Sequence, residues 1–274
     1  MKIMRFIGIV LALFLAGSPS DTSAQDSGKK YKVYMVSNSH LDTQWRWDVK
    51  ATIDDYLYNT AVQNLALLEK YPHYVFNFEG AVKYEWIKEY YPHLFERIRK
   101  FVADGRWNIS GASFEANDPN MPSSESFIRN ILLAQEFYKK EFGIKSKDMF
   151  LPDCFGFSQV MPTLGHHCGL IGFSTQKLSW RTEPLVGDSK TPFPIGLWEG
   201  VDGARIMVAL EPGRYSWNEF PEGDLSANEE LAESARKSPF GIAYRYYGNK
   251  LANGAGDHGG SALPRSIQLL EEGI

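Results

Sequence analysis

Apolar and polar positions alternate between two periods along this chain. Residues 31–37 alternate and then turn apolar, which predicts a buried first strand. Residues 53–71 carry apolar side chains at helical spacing, and Pro72 closes that helix. Residues 74–78 predict a second strand. A long helical stretch follows over residues 81–104, interrupted at Pro92 and stopped by Gly105. Residues 107–109 predict a third strand, followed by a loop over residues 111–123. Ser123 or Ser124 then caps a helix that runs to Phe142, and Gly143 ends it. Residues 149–151 predict a fourth strand. A short helix and a strand over residues 171–174 come next. Beyond Arg181 the pattern weakens into Gly- and Pro-rich sequence, with further strands around Trp198 and over residues 206–210. Residues 265–274 read as a terminal helix with no closing strand after it. The order strand, helix, strand, helix predicts an α/β fold on a parallel sheet with right-handed crossovers. Such sheets gather their chemistry at the carboxyl ends of the strands.

The first residues stand apart from this pattern. Lys2 and Arg5 precede an unbroken run of apolar residues and glycine over residues 6–16, and small and polar residues follow, ending in Thr22-Ser23-Ala24. This is the layout of a secretory signal peptide, with cleavage expected after Ala24. The apolar run is too short to span a bilayer as a helix. Ser18 stands where a lipoprotein would carry its lipidated cysteine, so a soluble exported protein is expected, periplasmic or extracellular. Residues 25–30 read as a flexible linker, and residues 31–274 as one domain.

Composition narrows the function classes. Of 274 residues, 43% are hydrophobic and 23% charged, as in ordinary globular proteins, and the net charge is −4 with both signs dispersed. No basic stripe points to nucleic acid. Aromatic residues reach 14%, which fits either a well-packed core or the stacking surfaces of a sugar site. The two cysteines, Cys154 and Cys168, read as thiols rather than a disulfide.

Two motifs carry candidate chemistry. Ser37-Asn38-Ser39-His40-Leu41-Asp42-Thr43-Gln44-Trp45 places a His and an Asp two residues apart at a strand end, where side chains two apart point the same way. An imidazole nitrogen with a carboxylate oxygen suits Zn²⁺. Leu151-Pro152-Asp153-Cys154-Phe155-Gly156-Phe157-Ser158 puts another carboxylate at the end of the fourth strand. Read alone, each also fits a strand-capping His or an Asp-initiated turn.

Together the motifs resemble the α-mannosidases of glycoside hydrolase family 38. The family's H-x-D with a following Trp appears as His40, Asp42 and Trp45, and its D-x-F-G-x-S as Asp153, Phe155, Gly156 and Ser158. The stretch from Glu115 to Ser123 is similar to the bacterial and fungal branch. The resemblance covers residues 31–182 and extends more loosely to 264. It implies an incomplete seven-stranded (β/α) barrel and the hydrolysis of terminal α-D-mannosyl residues of oligosaccharides, with retention. By the same resemblance, His40, Asp42 and Asp153 bind one Zn²⁺ and Asp153 is the nucleophile. Trp45, Phe155 and Lys177 line the substrate. Asp257, in the Gly-rich stretch Gly254-Ala255-Gly256-Asp257-His258-Gly259-Gly260, is the expected acid/base or a sugar-binding carboxylate, with His258 beside it. The family's motif breaks after Gly260. Family members are several times longer and supply a fourth ligand, a His, beyond the point where this chain stops, so a truncated form is expected. His166 and His167 diverge on a helix and read as structural, and His73 and His93 as surface residues. An inactive carbohydrate-binding remnant remains a competing reading, as does a polysaccharide deacetylase, although no H-x-x-x-H is present. The sequence is silent on oligomeric state.

Overall fold

The computed structural model describes residues 31–178, 194–210, 229–248 and 258–272. The expected signal peptide, the linker and Asp257 lie outside the described residues.

The first half alternates strands and helices as its periodicity requires. Strand β1 (Lys32–Ser39) is followed by a continuous helical run made of α1 (Val49–Ala51), a π-helical segment (Thr52–Leu57) and α2 (Tyr58–Lys70). Then come β2 (Phe76–Phe78), α3 (Ala81–Tyr90), α4 (Pro92–Ala103), β3 (Trp107–Ile109), α5 (Ser124–Phe142) and β4 (Asp148–Phe150). Pro92 starts α4 rather than merely interrupting one helix, because its missing N–H belongs at a helix start. The second half adds α6 (Met161–His167), β5 (Gly172–Thr175), β6 (Ile195–Glu199), β7 (Arg205–Leu210), α7 (Glu229–Lys237), β8 (Ile242–Gly248) and α8 (Pro264–Glu272).

These strands form two four-stranded sheets, ordered β3-β2-β1-β8 and β4-β5-β7-β6. All neighbours are parallel except β6 and β7, which form an antiparallel pair. The sequence reading left residues 242–248 without an element. That is corrected here: β8 pairs with β1 in register from Lys32↔Ile242 to Asn38↔Gly248. Its Tyr-Arg-Tyr-Tyr run hides the strand because both of its faces are buried, so no apolar–polar alternation survives.

The core explains the arrangement. One apolar cluster lies between the first sheet and α2 to α5, with Phe76, Phe78, Trp107, Leu65, Ile87 and Tyr138 almost fully buried. A second lies between the second sheet, α5 and α6, around Met149, Phe173 and Val208. A third joins the two sheets: Phe150 of β4 packs with Tyr244 and Tyr246 of β8, beside Val36 of β1 and Ala209 of β7. Ser174 on β5 hydrogen-bonds both tyrosine hydroxyls. Just past β3, the amides of Gly111 and Ala112 donate to the Asp148 carboxylate and carbonyl at the start of β4. Among the described residues no helix is long and apolar enough to cross a membrane.

Candidate metal centre at the strand ends

His40 and Asp42 follow β1 directly, and Asp153 follows β4 by three residues. Strands of different sheets thus bring the two sequence motifs to one place. A donor atom of each of His40, Asp42 and Asp153 lies within 4.8 Å of the other two. The Nε2 atom of His40 stands 3.4 Å from Asp42 Oδ1 and 3.8 Å from Asp153 Oδ2. The His40 ring is buried, while both carboxylates are partly open to solvent. The cluster therefore has a closed floor and an accessible mouth.

The electrostatics of this floor are informative. Burial opposes a charge on the His40 ring. Hydrogen bonds to Asp42 and Glu79, with the charges of both, outweigh burial and raise its pKa to about 10. Burial likewise opposes charge on Asp42, yet the His40 bond and the charges of His40, Lys83 and His258 leave its pKa lowered. Carboxylates thus face both nitrogens of one imidazole and create a demand for positive charge that a proton on the metal-free ring satisfies. A divalent cation meets that demand, and one imidazole with two carboxylates is a donor set that fits it.

Of the other sequence-predicted site residues, Lys177, Phe155, Trp45 and His258 lie among the described residues. Lys177 is buried at the end of β5, and its ammonium pairs with Asp153 Oδ1. The same ammonium lies 5.2 Å from the centroid of the Phe155 ring, which is 47% exposed. Trp45, 53% exposed, lies 5.1 Å from the His258 ring. His258 also sits 4.7 Å from Trp47, which stacks on Tyr56 at 4.5 Å. His258 reaches this position because the next residues are tied down. The Gly259 amide donates to the His40 carbonyl, the Gly260 amide to Thr60 Oγ1, and Asn64 Nδ2 to the Gly260 carbonyl. The loop following Asp257 is therefore seated against the end of β1.

Other candidates fall outside the cluster. His167 pairs with Asp202 at 2.8 Å, a surface link between α6 and the turn joining β6 to β7. His73 and His93 are exposed. Cys154 and Cys168 are free, partly buried thiols. The sequence reading missed Glu79 and Lys83. Glu79 Oε1 is 3.2 Å from His40 Nδ1 and 2.8 Å from Lys83 Nζ. Their signal is a Glu and a Lys four apart where a strand passes into a helix, a spacing that is ordinarily read as a solvated pair.

Comparison with known proteins fits this geometry. Residues 30–269 match the glycosyl hydrolases family 38 N-terminal domain. Alpha-mannosidase G of Dictyostelium discoideum is 37% identical over 190 residues, covering 69% of this chain and 17% of that protein. The alpha-mannosidase of Saccharomyces cerevisiae is 31% identical over 240 residues, covering 87% of this chain and 21% of that protein. The chain thus spans about a fifth of the length of these relatives. Among solved structures, an alpha-mannosidase from Enterococcus faecalis V583 superposes with a TM-score of 0.70 at 22% identity, covering 89% of this chain and 27% of that one. A 4-alpha-glucanotransferase from Thermococcus litoralis superposes at 0.58 with 18% identity, covering 80% and 34%.

Proposed function

Because the chain belongs to glycosyl hydrolases family 38, we propose that it carries the nucleophile and metal-binding part of a site that hydrolyses terminal α-D-mannosyl residues from glycans. The observation that supports this most is the convergence of His40, Asp42 and Asp153 at the ends of strands from different sheets. The seven parallel strands β8-β1-β2-β3 and β4-β5-β7 are read as the sides of one barrel, with β6 added antiparallel. In support, the third apolar cluster lies between the sheets, and Gly111 and Ala112 reach across to Asp148. The apolar run over residues 6–16, behind Lys2 and Arg5, supports export.

Each residue of the site has a task in a retaining mechanism. His40 offers Nε2, and Asp42 and Asp153 each offer a carboxylate oxygen, to one Zn²⁺. When bound, the ion supplies positive charge that holds sugar hydroxyls and favours the charge-separated transition state. Asp153 attacks the anomeric carbon, forming a glycosyl ester as the bond to the leaving oxygen breaks. Asp257 is assigned as the acid that protonates that oxygen and, as base, then takes the proton of the water that opens the ester. Lys177 holds Asp153 in place through Oδ1, leaving Oδ2 on the His40 side. The exposed rings of Trp45 and Phe155 offer apolar walls to the faces of a pyranose.

The test is turnover of an aryl α-mannoside by the full chain loaded with zinc, beside Asp153→Asn. Turnover that falls roughly a thousandfold or more in the variant is expected. Full turnover in Asp153→Asn removes the nucleophile assignment. A folded, zinc-loaded chain that binds mannosides without turning them over favours the carbohydrate-binding reading instead.

A further inference from the structure

Beneath the three proposed ligands lies a charged pair that the chemistry above does not use. Glu79 directly follows β2, and Lys83 stands in the first turn of α3. Both residues are 1% exposed. Lys83 Nζ is 2.8 Å from Glu79 Oε1 and donates to the Leu41 carbonyl at 2.9 Å. Glu79 Oε1 is also 3.2 Å from His40 Nδ1. One buried ammonium therefore touches both the carboxylate under His40 and the peptide carbonyl between His40 and Asp42.

The chain makes room for this pair at some expense. Gly80 adopts φ +85°, and a Cβ placed there would stand 2.7 Å from Lys83 Cε. A Cβ on Gly111 would stand 3.0 Å from Glu79 Cβ. A buried ion pair is weak evidence for stability, because its desolvation offsets much of its attraction. Its geometry says more. A carboxylate paired with an ammonium only accepts hydrogen bonds, so His40 Nδ1 carries the hydrogen and Nε2 faces Asp42 and Asp153. Partners of this kind beneath a ligating histidine orient the ring and raise its basicity as a ligand.

We propose that Glu79 and Lys83 are positioning residues that form a buried clamp, fixing the His40 ring through Nδ1 and the His40–Asp42 spacing through the Leu41 carbonyl, and thereby setting metal affinity. The inference rests on the metal reading of His40, Asp42 and Asp153.

The experiment titrates the metal-free full chain with Co²⁺, followed by its d–d absorption, and records a thermal melt of each metal-free variant. Glu79→Gln/Lys83→Met removes both charges together, so neither is left buried alone. Its Co²⁺ affinity is expected to fall 10- to 100-fold with shifted bands, while the melt stays cooperative. Glu79→Asp keeps both charges but withdraws the carboxylate by one methylene, and it too is expected to bind more weakly. Leu68→Ala, a core change on the buried face of α2, is expected to lower the melting temperature and leave Co²⁺ affinity unchanged. Wild-type binding in the clamp variants overturns the clamp and leaves the metal reading standing. So does affinity that merely follows melting temperature across all variants, Leu68→Ala included. A wild-type chain that binds no Co²⁺ overturns the metal reading, and the clamp with it.

Discussion

Single residues at the site owe their chemistry to what surrounds them. Cys154 adjoins the proposed nucleophile and donates to the Asn117 carbonyl at 3.4 Å. Burial, with the negative charges of Asp118, Asp153 and Asp42, pushes its thiol up to about 12. The reactive species is the thiolate, whose greater basicity offsets part of its scarcity. At pH 8, Cys154 in the folded, metal-free chain should therefore be alkylated by iodoacetamide about 10- to 100-fold more slowly than a free cysteine. Its rate should climb as pH approaches 12, followed by mass spectrometry; alkylation at the free-thiol rate would contradict this. The residue type and its place beside Asp153 were legible in the sequence. Its expected slowness was not, because burial, the main cause, and the charges of Asp42 and Asp118 come from segments far apart in the chain.

Gly80 makes the same point by conformation. Substituting Ala meets both a left-handed backbone and the Lys83 stem. At φ +85° and ψ +106° the backbone alone costs about 1–3 kcal/mol, and displacement of Lys83 should add to that. Gly80→Ala is expected to lower the denaturation midpoint by more than a Gly→Ala change in open surroundings. Equal losses at Gly80 and at an open position would remove the crowding argument.

Elements were the most legible level where their ends carry chemical signals. Helix α5 begins at the Ser123 cap, whose hydroxyl accepts from the Ser126 amide, and ends at Gly143 with φ +73°. A Cβ on Gly143 would meet nothing within 4 Å, so this open αL position differs from Gly80 in crowding and in ψ, 5° against 106°. Ser123→Ala and Gly143→Ala should each destabilise by about 1 kcal/mol in chemical denaturation, and together by the sum, since the ends are a helix length apart. A loss much below this at either end would mean that α5 is held by packing alone. Other elements were less legible. The π-helical segment Thr52–Leu57 is hidden because six residues are too few to separate its period from that of an α-helix. It places Thr52 so that its hydroxyl accepts from Trp47 Nε1 and donates to the Thr43 carbonyl, which secures the loop after Asp42.

At the scale of the molecule, the late strand β8 matters as much as the early motifs. It pairs with β1 along its length, two residues short of His40. Tyr247, Ala262, Ile267 and Leu269 complete the apolar cluster around Leu41, Leu57 and Leu65. A chain ended after Lys237 would leave the β1 edge open and this cluster uncovered. It should lose cooperative thermal unfolding and tend to aggregate. A cooperative melt of the shortened chain, seen by circular dichroism, would show instead that the first sheet stands without β8.

The sequence by itself determined the local periods, most helix ends and the two motifs, because these depend on neighbours within a few residues. Phe76, Trp107 and Met149 lie buried on strands near where their pattern predicts. His40, Asp42 and Asp153 could be named as candidates because their two motifs resemble those of family 38 and also fall at strand ends, where parallel α/β folds gather side chains. Tertiary structure decided what no local pattern encodes: that β8 lies beside β1, that Lys177 reaches Asp153, and that Glu79 and Lys83 stand under His40. Each of these joins residues across intervening elements, and the burial that gives them their energy exists only once the sheets and helices have packed.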